Sequence, residues 1–287
     1  MPSNQPPLLV NVTGLAENRR NTSFRAYLKS LIRYRSFVID DARSRAFRTT
    51  EGYFMWQLWL VLSPLLEAAM YGFLFGFVFH SSRAVDNFPV YLLTGLAVFT
   101  LITRLTGTGS GVFQSNIQLV RTFDFPGIVV ALAQALRALF DALPSLVFGL
   151  GVAIILQLTS GGISPAILFI IPIVFMAAVF GVGLMFQVAA VTAVVPDAKA
   201  IVSLFLRAWM FFSCIFYPIS RFDGAPTVRF VAELNPAYQF ISATRYSLID
   251  GGAPIFQAWA VMVVWATCSL VLGILALWVC ERHLNEL

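Results

Sequence analysis

From Ala142 to Pro196 the chain carries no Asp, Glu, Lys or Arg, and from Gly251 to Cys280 it carries none again. A spanning helix needs roughly 20 apolar residues. The first run is long enough for two spans and contains the turn signal Thr159-Ser160-Gly161-Gly162; the second makes one. Only 11% of the 287 residues are charged and 59% are hydrophobic, against about a quarter charged in soluble domains. Barrel strands would alternate over about 10 residues. These runs are continuous, and helices satisfy their backbone groups internally. An all-α membrane protein is therefore expected.

Hydropathy and punctuation predict six transmembrane helices, at about 53–80, 88–113, 128–158, 163–195, 200–219 and 255–280. Nine of the nineteen Lys and Arg precede Tyr53, which puts the amino end in the cytoplasm, and six crossings return the carboxyl end there. Residues 1–23 form a polar tail without the apolar core of a signal peptide. Within 24–50, Phe24, Tyr27, Leu28, Leu31, Ile32, Val38 and Ile39 recur at helical spacing among basic side chains. That pattern fits an amphipathic helix in the inner interface, or a basic tail that only fixes topology.

No G-x-x-x-x-G-K-[ST] occurs, and neither Lys29 nor Lys199 follows a glycine, so no phosphate-binding loop is present. No H-E-x-x-H, C-x-x-C or G-x-S-x-G occurs either, so catalysis on a soluble substrate is not expected. Cys214, Cys268 and Cys280 lie in apolar stretches and read as small buried hydrophobes. His80 and His283 stand at opposite ends of spans and make no metal site. Ionisable residues inside the predicted spans are few: Glu67, Arg104, Arg137, Asp141 and Arg207. Arg137 and Asp141, four apart, share a helix face and are expected to form a buried ion pair.

The segment 213–254, "SCIFYPISRFDGAPTVRFVAELNPAYQFISATRYSLIDGGAP", breaks the apolar pattern between the last two spans. Asn235 is a good N-cap, Pro236 suits a first helical position, and Gly251-Gly252 supplies a stop. Two short helices are expected, about 226–234 and 236–250, forming a re-entrant hairpin in the outer leaflet. Arg229, Glu233 and Arg245 would face a wet opening, with Tyr238, Phe240 and Tyr246 at headgroup level or at the pore. The hairpin reads either as an outer gate or as a loop that plugs the bundle.

Three stretches resemble type-2 ABC transporter permeases, in the branch that exports O-antigens, capsules, teichoic acids and related lipid-linked glycans. They are "SRAFRTTEGYFMWQLWLVLSPLLEAAMYGFLFGFVF" (44–79), "SNIQLVRTFDFPGIV" (115–129), and "FYPIS" followed by "LNPAYQFISATRYSLIDGG". The resemblance implies that 115–129 is the coupling loop for an ATPase, offering Leu119, Phe123 and Phe125 as apolar anchors beside Arg121 and Asp124, with Pro126 opening the next helix. It implies a homodimer with a twelve-helix pore in the inner membrane and two nucleotide-binding ATPase subunits. ATP and Mg would be bound by those subunits and no cofactor by this chain. The cargo would be a glycan or lipid-linked glycan threaded outward, with no nucleic-acid partner. Tyr71, Trp209 and Phe212 are candidate channel aromatics. A permease of the same family for a drug or simple lipid, an ion-coupled carrier and a membrane-embedded glycosyltransferase or acyltransferase are the alternatives. The last would need clustered catalytic Asp, His or Arg in loops, which the chain lacks.

Overall fold

A computed structural model describes residues 62, 66–78, 85, 87–115 and 127–286, with the backbone alone at 283–286. The tail at 1–23, the interface helix at 24–50, most of the first half of the first span, and the loop residues Leu119, Arg121, Phe123, Asp124, Phe125 and Pro126 lie outside the described residues.

The regular elements among the described residues are all helical. Helix α1 covers Leu66–Phe77 and widens into π winding over Gly72–Val78. It is followed by α2 (Phe88–Thr108), the single turn α3 (Val112–Ser115) and α4 (Gly127–Ser160). A 3-10 segment at Pro165–Phe169 runs into α5 (Ile170–Val194), and α6 is Ala198–Phe212. The short helices α7 (Pro226–Leu234) and α8 (Pro236–Leu248) precede the long α9 (Phe256–Glu286).

Among the described residues, four helices are long and apolar enough to cross a membrane: α2, α4, the Pro165–Val194 rod containing α5, and α9. They fall where the second, third, fourth and sixth spans are expected. At 34 residues, α4 is about 50 Å long, more than a perpendicular crossing of about 30 Å requires. It therefore tilts or protrudes, and it keeps Pro144 inside its length.

The fifth expected span differs. It was to run to Ile219, but α6 ends at Phe212 after 15 residues, about 22 Å. The cause is local. Ser213 donates its hydroxyl back to Trp209 O at 2.8 Å, and Cys214 takes φ +51°, a left-handed value uncommon outside glycine. Beyond it Ser213, Cys214, Ile215 and Phe216 are buried as a turn rather than as more helix.

Small residues let the long helices touch. A Cβ added at Gly183 of α5 would overlap the Ser269 carbonyl carbon of α9, and one at Gly273 would overlap Gly183 O. Ser269 Oγ donates to Phe180 O at 3.0 Å and Gln187 Nε2 donates to Ser269 O at 3.1 Å across the same seam. In lipid such close backbone approach and interhelical bonding stand in for the hydrophobic drive of a soluble core. Helix α2 sits between α4 and α5, meeting them through Ala97 against Gly149 and Leu105 against Gly181.

Candidate functional site

The hairpin α7–α8 is held by two polar hubs. At the first, Asn235 Oδ1 accepts from Ala237 N at 3.0 Å, the expected cap. The same oxygen accepts from Trp209 Nε1 at 2.9 Å, while Asn235 Nδ2 donates to Phe212 O and Ser213 Oγ, both at 3.1 Å. One side chain thus closes the end of α6 and opens α8, with Pro236 at its first position. Gly251, at φ +65°, turns the chain out of α8.

The second hub is Arg245. It was expected to face a wet opening, yet it is only 6% exposed. Its Nε donates to Tyr91 O at 3.1 Å, Nη1 to Cys214 O at 3.0 Å and Nη2 to Ile215 O at 3.0 Å. The guanidinium carbon lies 3.3 Å from the centroid of the Tyr91 ring. Tyr91 Oη in turn donates to Cys214 O and Tyr217 O. The reason is the turn after α6: its carbonyls have no helical partner, and an arginine fork supplies the donors. Phe240, expected at headgroup level or the pore, is also fully buried, packed near Phe180.

The remaining hairpin residues sit nearer the surface. Arg229 pairs with Asp223 and with Glu233, and the bond to Glu233 is the main influence raising its pKa. Tyr238 is half-buried, and Tyr246 is exposed with its ring packed over Gly252. Of the proposed channel aromatics, Trp209 is enclosed between Phe99, Phe180 and Phe205. Tyr71 packs on Phe216, and Phe212 is 71% exposed. The structure brings Trp209 and Asn235 together; it does not gather Tyr71, Trp209 and Phe212 into one patch through any contact among the described residues.

Arg137 and Asp141 do pair, at 3.9 Å, but on an open face of α4 rather than in the interior: their side chains are 22% and 49% exposed. A small cavity beside them is lined by Glu67, Thr100, Arg104, Ser145 and Gly149, so α1, α2 and α4 bring ionisable groups to one place. Cys214 and Cys280 are buried as expected, whereas Cys268 is exposed on α9.

Sequence reasoning missed three structural contacts. Tyr91 carries no local signal. Asn87 Nδ2 donates to Gln157 Oε1 at 3.0 Å and to Ser160 Oγ, tying the start of α2 to the end of α4. Glu281 Oε2 accepts from Gly127 N at 3.0 Å and caps α4 from the last helix. A lone glutamate after a long charge-free run is a findable signal for the last of these.

The bundle of long apolar helices with a short polar helical pair before the last one defines a multi-pass helical membrane protein. Residues 47–249 match the family model described as ABC-2 type transporter, and the chain belongs to that family. The polysialic acid transport protein KpsM of Escherichia coli is 26% identical over 219 residues, covering 72% of this chain and 79% of that protein. A second protein of the same name and organism matches to the same extent.

Proposed function

We propose that this chain is the permease subunit of an ATP-driven exporter that moves a polysaccharide or lipid-linked glycan outward across the inner membrane. The observation that carries the reading is the likeness, over 72% of the chain, to a protein named for polysialic acid transport. Each chain crosses six times, with the two shorter helices α1 and α6 completing the count, and both termini are cytoplasmic. Two copies enclose the path. Two ATPase subunits dock on the loop bearing Leu119, Arg121, Phe123, Asp124, Phe125 and Pro126, and ATP and Mg are bound there rather than by this chain. The α7–α8 hairpin, with Arg229, Glu233, Asn235, Pro236, Tyr238 and Tyr246, gates the outer exit, and Arg245 anchors it from within. Tyr71, Trp209 and Phe212 are the aromatic candidates along the path.

Support for the docking loop is its position: it joins α3 to α4, and the first amide of α4 is fixed by Glu281. Support for the gate is its attachment, since Asn235 and Arg245 couple it to α6 and α2. The test is reconstitution of the chain with its ATPase in vesicles loaded with glycan donor. Glycan should appear outside only when ATP and both subunits are present. ATP hydrolysis by the purified chain alone, or an epitope after Phe125 found on the exterior, overturns the reading.

A further inference from the structure

We infer that a zwitterionic phospholipid headgroup of the phosphoethanolamine class binds in a recess between the turn that ends α2 and the turn that begins α6. The inference goes beyond the export reading and does not depend on it.

Two turns build the recess. Gly109 brings the end of α2 so close to α5 that a Cβ there would overlap Met185 O. Gly111 then takes φ +84°, a left-handed value that glycine adopts at little cost, and turns the chain into α3. Thr192, buried in the last turn of α5, holds that turn in place. Its Oγ1 accepts from Gly111 N at 3.4 Å, and its carbonyl accepts from Gln114 Nε2 at 2.8 Å. On the other side α5 stops at Val194, short of Pro196, and α6 starts at Ala198. Between the two turns lies a recess of about 490 Å³, bordered by Ser110, Ser115, Thr192, Pro196 and Lys199. That volume falls within the range of about 300–1,000 Å³ that holds small ligands.

The lining carries both signs of charge. Lys199 is exposed and Ser110 half-buried, and neither side chain has a hydrogen-bond or ion-pair partner among the described residues. Both can donate to a phosphodiester. Asp197, two residues before Lys199, is exposed as well and makes no side-chain capping bond to α6. Its carboxylate balances Lys199, so an anion gains one partner here and is repelled by the other. A headgroup that carries a phosphate and a primary ammonium matches both. The recess also lies at the ends of α2 and of the rod containing α5, two helices able to cross a membrane, where headgroups sit. Beside it Val191, Val194 and Val195 are each 51% exposed. An amphipathic ligand uses the polar recess for its head and these valines for its acyl chains, whereas a soluble phosphate uses the recess alone.

The test adds single phospholipids to the full chain in detergent and reads bound lipid by native mass spectrometry. Phosphatidylethanolamine should be retained about fivefold better than phosphatidylcholine, whose trimethylammonium has no N–H to offer Asp197, and about fivefold better than phosphatidylglycerol, whose headgroup has no cation. Lys199→Gln should lower phosphatidylethanolamine retention about fivefold. Asp197→Asn should erase the preference over phosphatidylglycerol. Both side chains are exposed, so both variants should melt like the parent chain. Equal retention of the three lipids by the parent, or an unchanged preference in both variants, overturns the inference. Displacement of phosphatidylethanolamine by inorganic phosphate as readily as by glycerophosphoethanolamine assigns the recess to a free anion and overturns it too.

Discussion

Arg245 joins parts of the chain that sequence distance keeps apart: its partners lie 154, 31 and 30 residues away. Removing it leaves Ile215 O without its donor in a low-dielectric site, at about 1–3 kcal/mol for a group left unsatisfied, and takes one bond each from Cys214 O, which keeps Tyr91 Oη, and from Tyr91 O inside α2. Arg245→Met should thus lower thermal stability in detergent by about 2–4 kcal/mol, and Arg245→Lys should recover part of the loss. Gly95→Ala should mimic the defect, because a Cβ there would overlap Arg245 Nη2. Asn235 is predicted to be milder. Asn235→Ala should cost about 1–2 kcal/mol, measured by the same melt, as the cap and the Trp209 bond are lost together. The contrast between the two shows what one chain's letters reveal. Pro236, Gly251 and the cap made by Asn235 act on neighbours, so those roles were legible, whereas the bonds from Asn235 to Trp209, Phe212 and Ser213 were not. Arg245 acts on carbonyls set free by a left-handed residue at Cys214, and no residue pattern near 245 announces that.

At the scale of elements, hydropathy located α2, α4, the rod containing α5, and α9 to within about two turns of their observed ends, because a helix satisfies its own backbone groups in lipid. The end of α6 was not legible. Ser213, Cys214, Ile215 and Phe216 are as apolar as a span, and hydropathy cannot distinguish a buried turn from continuing helix. The seam of α5 and α9 was equally hidden, since Gly183 and Gly273 gain meaning only from the helix opposite. Gly183→Leu should pry these helices apart, and the expected outcome is loss of a monodisperse peak in size-exclusion chromatography with a melting shift of several kcal/mol. Gly151, whose added Cβ would meet nothing within 4 Å, should tolerate alanine and serves as the control.

At the scale of the whole molecule, the single chain leaves its open flank charged. Glu67, Arg104, Asp141 and Arg207 are all exposed in it, and such groups in a span face water or protein rather than lipid. Cysteine placed at Arg207 in an otherwise cysteine-free chain should react with a membrane-impermeant maleimide in vesicles, and cysteine at Phe205, on the apolar surface, should not. The composition showed that such charges were rare; which side of the bundle they share became visible only when α1, α2, α4 and α6 were placed together.

The bond from Gly127 N to Glu281 gives the far end of the chain a say in how α4 begins. A protein cut after Cys280 would keep every apolar turn of its final helix and still insert, yet α4 would start without its anchor, directly after the loop proposed to receive the ATPase's push. Glu281 thus braces the start of α4, and trimming the residues after Cys280 would leave that helix end loose.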